Sequence, residues 1–295
     1  METIKNGSKG NDVKILQQAL GITADGIFGP KTEEVVKKFQ KENNLTADGI
    51  VGPKTWQVIL SHTSETQTVS SGVKSKYHII FDYGHGKTTS GKRSPAYSTL
   101  SKEDQTYFAK YPEFGVDRYY EYLSNRVIGR ETARQMRERG WQVHEILTQS
   151  EDLTDIGLTV RANRVNAICA KYGANNCVFI SFHSNAAGDG KWLTAQGWSA
   201  YTTKKQNESD KLATALYDEA DKIFKGRKIR KDMSDGDPDW EANFTVIYKT
   251  TCPSVLTESF FYDNIDDLKY IVSEVGRDAI IKVHINGIEN YLNNK

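Results

Sequence analysis

From residue 77 onward, short apolar runs alternate with amphipathic helical stretches, and this alternation restricts the possible folds more than any other feature. Parallel strands need long crossover connections, so the pattern predicts a mostly parallel sheet with helices on both faces. We expect a three-layer α/β/α domain with about six strands. Strands are predicted at 77–81, 141–147, 177–183, 197–203, 244–248 and 253–258, and helices at 119–139, 158–172, 210–224 and 266–292.

The first part of the chain carries an internal duplication. The stretch ITADGIFGPKT at 22–32 returns as LTADGIVGPKT at 45–55, with nine of eleven positions identical. Each copy contains an Asp-Gly turn followed by Gly-Pro, a pair that typically begins a helix. Between the copies, Val35, Val36 and Phe39 share one helical face. We therefore expect a small all-α domain at the start of the chain.

Three segments of the chain are expected to have separate roles. Residues 1–60 form the helical domain, and residues 61–76 are rich in serine and threonine without apolar periodicity, which predicts a flexible linker. Residues 77–295 form the α/β domain. No stretch approaches the roughly 18 apolar residues of a membrane span, and the polar residues 1–11 lack the pattern of a signal peptide. We therefore expect synthesis in the cytoplasm without a signal peptide and no stable insertion into a membrane.

The overall charge argues against one class of partner. Lysine and arginine number 39, and aspartate and glutamate number 38. Because nucleic-acid affinity depends largely on neutralising phosphates, a balanced chain gives no electrostatic reason to expect nucleic-acid binding.

Side chains able to bind a metal follow three of the predicted strands. His85 comes after the first strand, His183 ends the third and Glu258 ends the last. Open α/β sheets bind ligands beyond the carboxyl ends of their strands, so these groups are expected at one edge of the sheet. Gly84 and Gly86 flank His85, and such small neighbours are expected to leave room for a substrate.

Two imidazoles and one carboxylate, with a fourth position left to water, are a common set of catalytic zinc ligands. Glu121 begins the long predicted helix, where a first-turn side chain reaches over the sheet edge. Glu103 and Glu113 lie in an irregular aromatic-rich segment. Position therefore favours Glu121 as a third ligand, although spacing alone does not decide among them.

The motifs resemble those of a known enzyme family. The order of motifs is that of zinc-dependent N-acetylmuramoyl-L-alanine amidases of the amidase 3 type: GHG at 84–86, Glu121 with Asn125, RANRVN at 161–166, SFHSN at 181–185 and PSVLTESFFYDN at 253–264. The resemblance covers about residues 77–292. It implies that His85, Glu121 and His183 hold one zinc ion per catalytic domain and that Glu258 is catalytic.

Two departures from the family pattern stand out. Tyr83 occupies the position before GHG where the family usually has proline. The segment between His85 and Glu121 looks longer than usual and is rich in tyrosine and phenylalanine. We expect this segment to form a loop that shapes the substrate cleft.

The duplicated motif, together with DVKILQQALG at 12–21, resembles the peptidoglycan-binding domain appended to many cell-wall hydrolases. The resemblance covers about residues 5–60. Asp25 and Asp48 are expected to shape turns rather than to contact a ligand, and Trp56 is expected in the core.

Together the resemblances imply hydrolysis of the amide between N-acetylmuramic acid and the L-alanine of the stem peptide by zinc-activated water, with Glu258 transferring the proton. The expected partner is peptidoglycan, through both its glycan strand and its stem peptide. The basic run KGRKIRK at 225–231 is either a solvated face or a site of attraction to anionic wall polymers.

Other functions stay open at this stage. A zinc peptidase that trims cell-wall peptides would use the same kind of zinc site. A muramidase would instead need two carboxylates and no metal. A third alternative is a wall-binding protein whose catalytic domain is inactive. The expected site of action is the bacterial cell wall, reached either by phage-type release, as for an endolysin, or by secretion, as for an autolysin.

Overall fold

The computed structural model describes residues 2–20, 22, 24–43, 45–188, 190–204 and 207–295, without the side chains of residues 18 and 60–71. The chain separates into two compact units, Met1–Gly72 and Val73–Lys295. None of the helices in the described ranges has the length and apolar character needed to cross a bilayer. The elements of the first unit are α1 (Asn11–Ala19), α2 (Pro30–Glu42) and the beginning of α3 (Pro53–Lys76).

The first unit is built from two copies of the same turn. Gln17 donates to Asp25 Oδ1 at 2.7 Å, and its own Oε1 accepts the Gly26 N–H at 2.8 Å. In the second copy Gln40 donates to Asp48 Oδ1 at 2.9 Å. The predicted turn-forming role of the two aspartates is confirmed, since each carboxylate also accepts a backbone N–H two residues later.

The core of this unit is small and apolar. It consists of Ile4, Val13, Leu16, Phe28, Val36, Val51, Trp56 and Ile59. Trp56 is 3% exposed, which confirms its predicted core position, and its ring N–H donates to the Glu2 carbonyl at 2.8 Å. The prediction of a helical domain at the start of the chain is confirmed, since this core is formed among α1, α2 and the beginning of α3.

The segment 61–76 differs from expectation in its secondary structure. Helix α3 continues to Lys76, so the segment predicted to be a flexible linker has helical secondary structure. The reason is visible in the sequence, because residues 54–71 contain neither proline nor glycine to end the helix that begins at Pro53. The function of this segment as a flexible tether stays a prediction.

The second unit contains a six-stranded sheet and the remaining helices. Its strands are β1 (His78–Tyr83), β2 (Gln142–Glu145), β3 (Cys177–Asn185), β4 (Ser199–Thr202), β5 (Trp240–Glu241) and β6 (Ser254–Phe261). Its helices are α4 (Lys102–Phe108), α5 (Glu121–Glu138), α6 (Leu158–Tyr172), α7 (Glu208–Ile223), α8 (Thr245–Tyr248), α9 (Ile265–Val272) and α10 (Glu274–Asn293).

The strand order is β2-β1-β3-β6-β4-β5, and every pair is parallel except β4 with β6. Helices α5 and α7 both contact α10 and pack against the sheet, which forms one helical layer. Helices α6 and α8 contact each other and β3, which forms a separate layer. The predicted three-layer α/β/α arrangement is therefore confirmed. Strands β1, β3 and β6 are buried along nearly their whole length, as expected for strands covered on both faces.

Two predicted elements are wrong in type or extent. Residues 244–248 were expected to form a strand, but Thr245–Tyr248 is the short helix α8. Val246 and Ile247 are both buried, and an apolar run this short does not distinguish a strand from one helical turn. The predicted helix at 266–292 is two helices, because the Ser273 hydroxyl accepts the Gly276 N–H at 3.0 Å and starts α10 anew.

Tyr83, which replaces the usual proline, lies buried beneath α5. Its hydroxyl donates to Glu145 Oε2 at 2.7 Å. The ring fits because Gly129 faces it, and a Cβ at Gly129 would lie 2.2 Å from Tyr83 Cε1. The departure from the family pattern is therefore accommodated by a small residue on the neighbouring helix.

We expect Gly129→Ala to destabilise the second unit by about 1–3 kcal/mol, the usual cost of overpacking a dense core. Urea unfolding of the full chain followed by circular dichroism measures this change. The penalty should shrink when Tyr83→Leu removes the ring, because the two positions are in direct contact. An equal penalty in both backgrounds would contradict the contact.

Candidate metal centre

Three side chains predicted to bind a metal converge at the carboxyl edge of the sheet. Glu121 Oε1 lies 3.0 Å from His183 Nδ1 and 3.3 Å from His85 Nε2. One possible ligand atom from each residue lies within 4.8 Å of the others. The two imidazole rings are nearly perpendicular, at 87°, with centroids 4.8 Å apart. Such a cluster presents two nitrogen ligands and one oxygen ligand to a common point.

The helix α5 places Glu121 at this edge. Glu121 is the first residue of α5, as the sequence predicts, and its N–H donates to the Lys92 carbonyl at 3.1 Å. Its carboxylate is 1% exposed and also accepts the Ser184 N–H at 3.2 Å. The helix start thus fixes the carboxylate between the two histidines.

The protonation of the cluster suits a metal ion. Burial alone would raise the pKa of Glu121, but the two neighbouring imidazoles outweigh it and hold the pKa below its usual value. Burial lowers the pKa of His85, against the opposing influence of Glu121. Within the described part of the chain, His85 Nε2 and Glu121 Oε2 are buried without a hydrogen-bond partner. An ionised carboxylate and a neutral imidazole are the forms that bind metals.

Glu258 lies beside this cluster on the adjacent strand. The register pairs it with His183 across the parallel strands β3 and β6, so the two side chains point to the same face of the sheet. Glu258 is only half-buried, but its Oε2 is shielded from solvent and has no hydrogen-bond partner among the residues described. Desolvation and the negative charge of Glu121 raise its pKa well above the usual value. A carboxyl group whose pKa is raised in this way can exist in both its charged and its neutral form, which proton transfer requires.

The two glycines around His85 serve close packing. A Cβ at Gly84 would lie 2.2 Å from the His183 ring, and one at Gly86 would lie 2.2 Å from the Thr154 carbonyl oxygen. That these glycines also leave room for a substrate stays a prediction. They let the His85 turn approach β3 and the loop at Thr154.

Two buried arginines complete the surroundings of His85 and were not assigned from the sequence. Arg161 forms an ion pair with Asp82 at 2.6 Å, and both side chains are 1% exposed. Arg126 donates to the His85 carbonyl at 2.8 Å. Asp82 carried a usable signal, because an aspartate inside the apolar strand HIIFDY demands a buried partner.

The aromatic-rich segment between His85 and Glu121 is folded and contains α4. Tyr97 stacks on Phe108 with ring centroids 4.7 Å apart, and Phe114 is fully buried. The Tyr119 hydroxyl donates to Ser184 Oγ at 2.9 Å, next to the histidine cluster. That this segment shapes a substrate cleft stays a prediction.

A second group of carboxylates lies elsewhere in the unit. Asp210 in the first turn of α7 approaches Asp237 and Asp239 within 4.8 Å. Desolvation raises the pKa of Asp239 to about 8, and its Oδ2 accepts the Thr202 hydroxyl at 2.5 Å. This group lacks the imidazole ligands of the first cluster.

Comparisons with known proteins agree with this geometry. A family model described as N-acetylmuramoyl-L-alanine amidase matches residues 79–290. The chain belongs to the N-acetylmuramoyl-L-alanine amidase family. A second model, described as a putative peptidoglycan binding domain, matches residues 9–59.

Two curated relatives are similar over part of their length. The N-acetylmuramoyl-L-alanine amidase CwlM of Bacillus licheniformis is 29% identical over 153 residues, which covers 51% of this chain and 52% of that protein. The endolysin of Bacillus phage SPP1 is 28% identical over 155 residues, which covers 52% of each. The chain therefore spans about half the length of the curated relatives it matches.

Solved amidase structures share the fold of the second unit. An N-acetylmuramoyl-L-alanine amidase from Clostridium difficile 630 aligns with a TM-score of 0.55 at 22% identity, covering 74% of this chain and 98% of that one. AmiC2 of Nostoc punctiforme aligns with a TM-score of 0.53 at 20% identity, covering 74% and 98%. At these identities the likeness establishes the fold alone.

Proposed function

We propose that this amidase-family chain hydrolyses the amide joining N-acetylmuramic acid to the L-alanine of the stem peptide. The observation that carries the proposal is the convergence of His85, Glu121 and His183 beside Glu258, within a chain whose residues 79–290 match the family. Hydrolysis breaks the C–N bond, leaving a carboxylate on the lactyl group and a free amine on L-alanine.

Zinc fits the donor set. Two imidazoles and one carboxylate would hold it through His85, His183 and Glu121, where two buried polar atoms lack partners among the described residues. When bound, zinc supplies Lewis-acid polarisation of the amide carbonyl and acidifies water. Glu121 is almost fully buried, and the low dielectric of such surroundings strengthens its electrostatic attraction to a cation.

Glu258 is proposed as the proton-transfer residue. Its carboxylate accepts the proton of the attacking water and then donates it to the departing L-alanine amine. Its raised pKa, caused first by desolvation, makes the protonated form accessible at the second step. Its position next to His183 in the sheet register puts the carboxylate on the same face as the proposed ligands.

The proposed partner is peptidoglycan, bound by the catalytic unit and, through residues 9–59, by the first unit. We propose action at the bacterial cell wall after cytoplasmic synthesis. Contact with anionic wall polymers would use the exposed Lys225 and Lys228, because Arg227 packs 3.7 Å from the Tyr270 ring centroid and Lys231 pairs with Asp221 at 2.6 Å.

Mass spectrometry of digested peptidoglycan tests the bond that is cleaved. We expect new L-alanine amino ends and intact glycan strands. Free terminal amino acids with the lactyl amide intact would instead establish a zinc peptidase that trims wall peptides. New reducing sugar ends would establish a muramidase. Either of these outcomes overturns the proposed amidase reaction.

A further inference from the structure

The backbone of His85 adopts a conformation that is unfavourable for most residues other than glycine. Its φ is 64°, in the left-handed region that residues with a Cβ rarely occupy. A single residue held there costs on the order of 1–3 kcal/mol and persists only when its surroundings impose it. Since the imidazole direction follows from this backbone, whatever imposes the conformation also aims the side chain.

Side chains from two helices bind three consecutive carbonyls of this turn. Arg161 donates to the Tyr83 carbonyl at 2.9 Å, and Asn125 donates to the Gly84 carbonyl at 3.1 Å. Arg126 donates to the His85 carbonyl at 2.8 Å, and Arg161 reaches the same oxygen at 3.3 Å. We call Arg126 and Arg161 the arginine clamp.

Each arginine of the clamp is itself fixed by an acidic partner. Asp82 accepts from Arg161 at 2.6 Å and also from the Ser181 hydroxyl at 2.8 Å, which ties the pair to β3. Asp152 accepts from Arg126 at 2.7 Å. A planar guanidinium that is paired on one edge keeps its other N–H groups in a fixed direction. The clamp therefore holds the carbonyls of the turn rigidly.

The clamp connects the turn to the other candidate ligands. Arg126 lies on the same helix as Glu121, so α5 carries one ligand and also grips the backbone of another. Arg161 lies on α6, in the layer on the opposite face of the sheet. The His85 turn is therefore hydrogen-bonded to helices on both faces of the sheet. A shift of the turn toward one helix layer would break its hydrogen bonds to the other layer.

We propose that Arg126 and Arg161 are positioning residues, which hold the left-handed His85 turn and so aim its imidazole at Glu121 and His183. This inference rests on the proposed function, in which these three residues bind zinc. The arginines contact backbone oxygens and carboxylates, and their effect on the reaction is exerted through His85.

The chain offers a matched control for Arg126. Arg130 lies one turn further along α5 and donates to the same Asp152 at 2.7 and 2.8 Å. Among the described residues, its side-chain hydrogen bonds reach Asp152 and none of the three carbonyls of the turn. Arg126→Gln and Arg130→Gln therefore both remove a charge beside Asp152, but only the first removes a bond to His85.

Zn²⁺ affinity and the Co²⁺ absorption spectrum distinguish a role of Arg126 in positioning His85 from a role in stabilising the fold alone. We expect Arg126→Gln to weaken Zn²⁺ binding by about 10–100-fold, the usual cost of losing a group that orients a ligand. Its Co²⁺ form should show a shifted visible absorption spectrum, while Arg130→Gln retains the wild-type affinity and spectrum. Equal behaviour of the two variants, or a wild-type affinity and spectrum in Arg126→Gln, would overturn the clamp.

Crystal structures of the metal-free variants provide a readout that does not depend on the metal. His85 should leave the left-handed region in Arg126→Gln and keep it in Arg130→Gln. Arg161→Lys is a second test variant, because lysine keeps the charge but lacks the planar fork whose two terminal nitrogens reach Asp82 and the carbonyls of Tyr83 and His85. A wild-type protein that takes up no Zn²⁺ would overturn the proposed function, whereas an unchanged His85 turn in both Arg126→Gln and Arg161→Lys would overturn the clamp.

Discussion

Glu258→Gln should keep the fold and the metal while losing about 10²- to 10⁴-fold in amide hydrolysis, the range expected for a general acid–base residue. Glutamine preserves the size and shape of the side chain but neither accepts nor delivers a proton at neutral pH. The Oε2 atom of Glu258 is shielded from solvent and has no partner among the described residues, so no hydrogen bond there is lost. The free energy of unfolding should stay unchanged or rise, because glutamine brings no charge that must be desolvated at this half-buried position.

Release of L-alanine amino ends, zinc content and urea unfolding measure the three parts of this prediction. Glu103→Gln is a suitable control, because Glu103 is an exposed glutamate in the segment between His85 and Glu121. It should behave as wild type in all three assays. Retained hydrolysis in Glu258→Gln would remove Glu258 from the proposed mechanism, and loss of zinc would assign it a role in metal binding instead.

Much of the sheet could be predicted because its central strands are buried on both faces. The apolar runs around Ile79, Val178 and Val255 read as continuous hydrophobic segments, which is the pattern of covered parallel strands. The short helix α8 was taken for a strand because Val246 and Ile247 form an apolar run too short to show a period. The helix over 61–76 was missed because this serine- and threonine-rich segment has no apolar period and consists largely of weak helix formers.

The candidate site could be predicted only where a side chain ends an element. His85, His183 and Glu258 were found because each follows or ends a predicted strand, although β3 and β6 continue to Asn185 and Phe261. Glu121 was found because it begins a helix. The arginine clamp could not be placed, since Arg126 and Arg161 reach the His85 carbonyl from 41 and 76 residues away. Every residue has a backbone carbonyl oxygen, so the sequence does not show which carbonyl a distant arginine will bind.

A similar limit applies to the repeat in the first unit. The Asp-Gly turns were evident as turns, but the glutamines that bind them were not singled out. Gln40 follows Gln17 by the same offset as the repeat itself (40 − 17 = 23 and 45 − 22 = 23). The duplication thus extends beyond the turn into the helix before it, and the fixed spacing was the available signal.

Loss of a proposed ligand should have a different effect from loss of Glu258. We expect His183→Ala to purify with far less than one zinc ion per chain and to lose more than about 100-fold in hydrolysis, since removing a ligand exceeds the 10–100-fold cost of disturbing the group that orients it. Metal analysis and release of L-alanine amino ends measure the two effects. Chelation should inactivate the wild type in the same way, and added Zn²⁺ should restore it but not His183→Ala.

His144→Ala is the matched histidine control for this prediction. His144 lies on β2 and also pairs with a second histidine, His78, at 3.0 Å between ring nitrogens. The pair stacks near Tyr172 and is not among the groups that could hold a metal within the described residues. His144→Ala should therefore keep full zinc content and activity. One zinc ion per chain in His183→Ala, or undiminished wall digestion by exhaustively stripped wild type, would refute a metal-dependent reaction at this cluster, because no other described group offers two imidazoles and a carboxylate together.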